Sequence, residues 1–505
     1  MARGRPRASL GQEEGLEAVT VTDTTHEELE RVLAAAAQAA GPLAALRPAE
    51  RARLLRAAAD ALDAAAGELV PIAIEESSLP EGRLTGEVAR SSGQLRLFAD
   101  ALEEGSYLEV ILDSADANAK PVPRPDLRRM LVPLGPVAVF AASNFPFAFS
   151  VPGGDTASAL AAGCPVVVKA HPGHPRLSQR TGEVLVEALR AAGAPDGTFA
   201  VVHGMEAGSS VLTDPRIKAG AFTGSVKGGL ALLDIASKRE EPIPFYGELG
   251  SLNPVFVTPA AIAARGDEIA DGYVGSFTLG AGQFCTKPGL LFLPAGHGLE
   301  ERLTDAVRAT APAGMLNERI REGHAHERDR LEGLGPVRTL VHGAESAAGV
   351  APTLLATTAK ELLADPDPIL QECFGPTSII VEYADADEML AAAEAFGGNL
   401  TATIHAEDSD AATLPPLVDV LRDRAGRLVY NGWPTGVAVS WAMHHGGPFP
   451  STTASIHTSV GTTALRRFLR PVCYQNTPQA LLPEALRDGN PLNLPRRLDG
   501  VLTPA

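Results

Sequence analysis

A cysteine at position 285 follows the run Gly280-Ala281-Gly282-Gln283-Phe284 and precedes Thr286. Small residues ahead of a thiol let the backbone approach another group closely and leave the sulfur open to attack a carbonyl. The same pattern suits a buried core cysteine, the commonest fate of an unpaired one. Cys164, Cys373 and Cys473 each sit in or beside an apolar run, where that second reading is stronger. Glu248 is the next candidate, within Tyr246-Gly247-Glu248-Leu249-Gly250-Ser251-Leu252-Asn253-Pro254. Flanked by glycines between apolar segments, it is expected to be partly buried with a raised pKa, as suits a general base. The alternative is a loop carboxylate held in a salt bridge. Asn144, in Ala141-Ala142-Ser143-Asn144-Phe145-Pro146-Phe147, follows an apolar strand-like run. Ligand sites gather at the C-terminal ends of parallel strands, and an amide there can donate to an oxyanion or simply shape a turn. The stretch Ala221-Phe222-Thr223-Gly224-Ser225-Val226-Lys227-Gly228-Gly229 reads as strand, turn and helix start, a geometry that binds phosphate or merely caps a helix. It is neither G-x-G-x-x-G nor a P-loop, and the absence of G-x-S-x-G and H-E-x-x-H weakens serine hydrolase and zinc peptidase readings.

The elements that must position these groups are legible from periodicity. Residues 24–40 have a helical pattern, with Thr24 or Thr25 as N-cap, Glu27 and Glu28 in the first turn, and Leu29, Val32, Leu33 and Ala36 on one face. Helices are also expected over 51–65 and 86–102, the latter carrying Arg90. Strand-like runs at 107–112 and 127–132 read as a hairpin. Strands at 137–142, 166–169, 199–203 and 219–223 then alternate with helices at 156–162, 178–192 and 226–236, which predicts a parallel sheet covered on both faces. A second alternating stretch runs from Val255 to about Tyr430, and the tail beyond Pro471 reads as extended.

Composition bounds the function. The 505 residues carry a net charge of −18, which argues against a nucleic-acid or anionic-membrane surface. The 50 Gly and 40 Pro are loop-rich but short of a disordered composition, and 45% apolar residues suffice for a large core. No apolar run reaches the roughly 18 residues of a spanning helix. Four scattered cysteines without a C-x-x-C pair point to reduced thiols, neither a disulfide scaffold nor a metal cage. The basic start lacks the apolar stretch of a signal peptide, so a cytoplasmic protein with mobile residues 1–20 is expected.

Taken in order, Asn144-Phe145-Pro146, Val166-Val167-Val168-Lys169, Phe222-Thr223-Gly224-Ser225, Glu248-Leu249-Gly250, Gly282-Gln283-Phe284-Cys285 and Glu372-Cys373-Phe374-Gly375-Pro376 resemble the aldehyde dehydrogenase superfamily. The resemblance spans about residues 24 to 475. Lys169-Ala170-His171-Pro172-Gly173-His174-Pro175, His444-His445-Gly446-Gly447-Pro448-Phe449-Pro450 and Arg470-Pro471-Val472-Cys473-Tyr474-Gln475-Asn476 are similar to the branch holding 2-oxoglutarate semialdehyde (2,5-dioxovalerate) dehydrogenases and NADP-dependent fatty aldehyde dehydrogenases.

The resemblance implies an α/β fold of two doubly wound parallel-sheet domains plus a β-hairpin arm for oligomerisation. The cofactor domain would comprise 21–106 and 133–252, the arm 107–132, the catalytic domain 253–450, and the tail 451–505 would lie at a subunit interface. The arm is expected to meet a neighbour's tail in a homodimer or homotetramer. The activity implied is NAD(P)-dependent oxidation of an aldehyde through a cysteine thiohemiacetal and thioester. Cys285 matches the nucleophile, Asn144 the oxyanion donor, and Glu248 the base that hydrolyses the thioester, a glutamate missing from branches that pass the acyl group to coenzyme A. Lys169 and Glu372 match residues on the cofactor riboses, Phe374 the aromatic beside the nicotinamide, and Gly224, Ser225 and Gly229 the turn under the pyrophosphate. Phe145, Arg90 and His445 match positions bordering the substrate cavity. Pro172 stands where many NAD-preferring relatives carry a glutamate for the 2′-hydroxyl. NADP is therefore favoured, with His171 or His174 as helpers and Glu206 as a candidate replacement acid. The rival readings are a thiol esterase using Cys285 alone and a catalytically silent scaffold; neither accounts for the full set.

Overall fold

The computed structural model describes residues 21–504, so the expectation for residues 1–20 lies outside them. Thr25 caps α1 (His26–Ala45): its hydroxyl accepts from the Glu28 amide and the Glu28 carboxylate accepts from the Thr25 amide. Helix α2 (Pro48–Ala64) opens on a proline, whose missing N–H costs nothing at that position. Helix α3 (Ala66–Ser77) was not expected, because Gly67 and Pro71 lower its propensity. It forms because Leu69, Val70 and Ala73 bury against Leu84 and Val88 of α4 (Glu81–Glu104), each large side chain contributing roughly 1.5–3 kcal/mol.

The hairpin β1 (Val110–Asp113) and β2 (Leu127–Pro133) follows. Next come β3 (Val137–Phe140), α5 (Gly154–Ala162), β4 (Val166–Lys169), α6 (Pro175–Ala191), β5 (Phe199–Val202), α7 (Met205–Thr213), β6 (Ala219–Thr223), α8 (Val226–Ser237) and β7 (Phe245–Glu248). The strands form one parallel sheet in the order β5-β4-β3-β6-β7. Every residue of β3 and β4 is buried, as continuous apolar strands with helices on both faces require.

The second sheet uses β8 (Val255–Val257), α9 (Pro259–Thr278), β9 (Leu290–Pro294), α10 (Glu300–Ala309), α11 (Glu318–Glu332), β10 (Arg338–Val341), a small ribbon of β11 (Glu345–Ser346) and β12 (Gly349–Val350), β13 (Thr353–Thr358), α12 (Ala359–Ala364), β14 (Thr377–Tyr383), α13 (Ala386–Glu394), β15 (Asn399–His405), α14 (Pro415–Arg424) and β16 (Ala425–Tyr430). Its order is β10-β13-β14-β9-β8-β15-β16, parallel except for the edge strand β10. Phe256 and Phe292 stack at 4.5 Å in its core.

The tail supplies β17 (Leu469–Gln475), β18 (Arg496–Leu498) and β19 (Val501–Thr503). Strand β17 lies antiparallel to β2, and β18 parallel to β1, giving the sheet β17-β2-β1-β18-β19. Within the chain, its own tail flanks the arm on both sides. Leu465 and Phe468, buried in the first core, deliver β17 directly onto β2. The architecture is α/β, with two wound parallel sheets and the hairpin sheet. Among the described residues no helix is long and apolar enough to cross a membrane.

Candidate active site

Gly280, Ala281 and Gly282 all adopt left-handed backbone, with φ of 57°, 55° and 65°. Glycine does so freely, whereas Ala281 pays roughly 1–2 kcal/mol. A side chain at Gly282 would strike the Gly375 carbonyl, so the turn is pressed against the loop that follows Phe374. This turn ends α9 and carries the chain to Cys285. Asn253, itself left-handed at φ 49° and fully buried, clamps the far side. Its amide donates to the carbonyls of Cys285 and Lys287, each at 2.9 Å, while its oxygen accepts from Ser251 and Thr401. The segment after Glu248 therefore holds the cysteine loop in place.

Cys285 Sγ lies 3.5 Å from His445 Nε2, and that nitrogen lies 2.8 Å from Glu248 Oε1. Glu248 ends β7, both it and His445 are buried, and Ser459 Oγ donates to Glu248 Oε2. The expectation of a raised Glu248 pKa is corrected here. Burial alone would raise it, but the His445 ring and the Ser459 and Cys285 hydrogen bonds outweigh burial and hold the carboxyl below its ordinary value. The thiol moves the other way: burial, with Glu248 and Glu372 nearby, pushes Cys285 well above its ordinary value, against the pull of Arg90. A protonated resting thiol facing an ionised base follows. The alkylation rate of Cys285 in the cofactor-free protein should thus keep rising with pH beyond the ordinary thiol range near 8.5. Rates by iodoacetamide labelling and peptide mass spectrometry check this, and a plateau below pH 8 would contradict it.

Asn144 is buried and donates from Nδ2 to the Gln283 carbonyl at 3.1 Å, which sets it beside the cysteine loop with a second N–H to spare. The Phe145 ring meets Phe149 and Phe284 edge-on at 5.3 and 5.2 Å. Arg90 neither faces solvent nor pairs with Glu87. Glu87 binds Arg83 at 3.2 Å, whereas Arg90 donates to the Val437 carbonyl at 2.7 Å and lies over the Phe149 ring. Its Nε is buried without a partner. The sequence reading missed three residues here. Arg83 donates to the Asn144 carbonyl and lies over the Phe145 and Phe284 rings. Arg427 donates to the carbonyls of Pro434 and Gly436. Ser459 anchors the base, and no local motif marks it.

The cofactor-side residues collect at the C-terminal edge of the first sheet. Ser225 caps α8 by accepting from the Gly228 amide. Any side chain at Gly229 would collide with Leu249, so only glycine lets the helix start rest on β6 and β7. Lys169 ends β4 with its ammonium against Met205 Sδ at 3.6 Å and no oxygen partner among the described residues. Burial lowers its pKa, Asp23 raises it, and Arg319 lowers it further. The Glu372 carboxylate lies over Gly250, and burial pushes it up to about 7. Phe374 is half-buried two residues on. An unpaired lysine, a carboxyl awaiting hydroxyl donors and a glycine-cradled helix start fit a nicotinamide dinucleotide. The two histidines sit nearby. His171 is pushed down to about 3, burial being the main cause, and accepts from the Gly173 amide. His174 is buried, its ring engaged by Ser178 and the Ala142 carbonyl. Glu206 is exposed at the start of α7, and the acid nearest Lys169 in effect is Asp23, whose carboxylate rests on Gly204.

Comparison with known proteins agrees with this geometry. Residues 12–470 match the Aldehyde dehydrogenase family. The chain is 43% identical over 487 residues to an alpha-ketoglutaric semialdehyde dehydrogenase of Acinetobacter baylyi, covering 95% of this chain and 93% of that one. It is 47% identical over 468 residues to alpha-ketoglutaric semialdehyde dehydrogenase 2 of Azospirillum brasilense, covering 91% and 88%. The solved methylmalonate-semialdehyde dehydrogenase of Oceanimonas doudoroffii shares the fold, with a TM-score of 0.75 at 22% identity over 90% of this chain and 91% of that one. With its fold, and with a family match over nearly its whole length, this chain belongs to the aldehyde dehydrogenase family.

Proposed function

We propose that the protein oxidises 2-oxoglutarate semialdehyde to 2-oxoglutarate, using NAD(P), in the cytoplasm. The observation that carries the chemistry is the contact of Cys285, His445 and Glu248. The thiol attacks the aldehyde carbon and gives up its proton toward His445 and Glu248. The oxyanion of the thiohemiacetal is held by the Asn144 amide and the Cys285 N–H, each such donor typically giving about 10²–10³ in rate. Lys169, Glu372, Phe374 and the Gly224-Ser225…Gly229 turn would hold a nicotinamide dinucleotide, which would supply the hydride acceptor. Glu248 then takes a proton from the water that hydrolyses the thioester, and the product leaves as a carboxylate.

The substrate assignment draws on the two relatives above 40% identity and on Arg90. A half-buried guanidinium with a spare Nε–H can grip the distal carboxylate of an oxo-acid semialdehyde, whereas a fatty aldehyde gains nothing from it. The aromatic wall of Phe145, Phe149 and Phe284 is what would suit the apolar alternative. Arg90→Met is therefore expected to raise KM for the semialdehyde by on the order of 10–100-fold, the worth of a charge-assisted hydrogen bond. Propanal and hexanal should be unaffected or improved. Equal losses on both substrate types would mark a structural arginine.

Pro172 removes the carboxylate that would repel a 2′-phosphate, so NADP is the proposed preference, with Asp23 the group that opposes it. Asp23→Asn should raise the NADP/NAD ratio of kcat/KM by on the order of 3–10-fold, the effect of one screened charge. An unchanged ratio would remove Asp23 from the 2′ position. The five-stranded hairpin sheet is proposed as the pairing arm of a homodimer or homotetramer.

A further inference from the structure

We propose that Cys285, His445 and Glu248 form a zinc site, at which Zn²⁺ binds reversibly and shuts the enzyme off. Thiolate, imidazole and carboxylate are the three donor types zinc uses in proteins, and one of each converges here. Their nearest ligand atoms all lie within 4.8 Å of one another. Zinc bonds of about 2.3 Å to sulfur and about 2.0 Å to nitrogen, set at a tetrahedral angle, separate the two ligands by about 3.5 Å. The observed Sγ–Nε2 distance is 3.5 Å, so this edge needs no adjustment. The nitrogen–oxygen edge of such a site is about 3.3 Å. Here Nε2 and Oε1 stand 2.8 Å apart, and a small rotation of the Glu248 carboxylate would open them.

A metal would take the place of the proton between His445 Nε2 and Glu248 Oε1. Glu248 Oε1 is buried without an aligned hydrogen bond, while its other oxygen is the one anchored by Ser459. Two anionic ligands balance the charge of the dication once the thiol proton and the proton between His445 Nε2 and Glu248 Oε1 have left, the first to solvent and the second to solvent or to Nδ1. The opposing charges are Arg90 and Arg427, the cations that sense Cys285 electrostatically. Their guanidiniums donate to the carbonyls of Val437, Pro434 and Gly436. Magnesium and calcium, which demand oxygen ligands, have no comparable set here. Three protein ligands leave zinc's fourth position to water. Binding itself stands on geometry alone; the inhibition rests on the proposed roles of Cys285 and Glu248.

The test uses the full-length protein carrying Cys473→Ser, which removes the one exposed cysteine. Chelator-competition titration with Zn²⁺ should find one tight site per chain. His445→Gln and Glu248→Gln, each checked for native circular dichroism, should weaken it by at least about 100-fold, the cost of a lost ligand. Zinc should slow iodoacetamide labelling of Cys285 at least about tenfold, EDTA should reverse this, and Mg²⁺ should do nothing. Unchanged zinc affinity in both variants, or full labelling of Cys285 under saturating zinc, would overturn the site. One bound zinc with Cys285 protected and turnover unaffected would instead refute the catalytic reading of Cys285.

Discussion

Cys285→Ala is expected to abolish aldehyde oxidation, and with it any hydrolysis of activated esters, by on the order of 10⁴-fold or more. Sulfur supplies both covalent intermediates, so nothing else in the cavity can substitute for it. The other cysteines cannot step in: Cys164 and Cys373 are buried in the two cores, and Cys473 lies on the arm sheet. Folding should be unaffected, since Cys285 is partly accessible and its loop is held through the backbone by Asn253. Cofactor reduction and ester hydrolysis, followed on the same preparation with circular dichroism as control, check the expectation. Appreciable nicotinamide reduction by the alanine variant would move the nucleophile elsewhere.

Glu248→Gln separates the two halves of the reaction. In this variant His445 remains to take the thiol proton and hydride transfer needs no base for water, so one equivalent of reduced cofactor should appear in a burst. Steady turnover should then fall by on the order of 10²–10⁴-fold, the usual worth of a positioned base. The acyl-enzyme should be trapped on the Cys285 peptide by acid quench and mass spectrometry. In the wild type, the depressed Glu248 pKa has a definite sign. The carboxylate keeps its charge to a lower pH than an ordinary glutamate does. A loss of hydrolysis near pH 6 would have to come from another group.

The motifs that announce themselves are those whose geometry is local. The glycine-rich turn before Cys285, the strand ending in Lys169 and the capped start of α8 are each determined by a few neighbouring residues. What could not be read is what distant segments bring. Ser459 reaches Glu248 across 211 residues, and His445 comes from the same far segment, so burial of Glu248 was foreseeable while the partners that reverse its pKa were not. Asp23 and Arg427 likewise reach the site only through tertiary packing. Helix α3 forms against its own propensity because α4 covers it. That the chain's own tail pairs with the arm was hidden for the same reason, since periodicity reveals strands but not which edges they join.

The central claim is the substrate and what becomes of it. Purified protein should be given 2-oxoglutarate semialdehyde, propanal, hexanal and decanal in turn with NAD and with NADP, and kcat/KM measured from absorbance of the reduced cofactor. The semialdehyde is expected to lead the aliphatic aldehydes by at least about tenfold, with one 2-oxoglutarate formed per reduced cofactor. A decanal value equal to or above that of the semialdehyde, or no cofactor reduction with the semialdehyde at all, would contradict it.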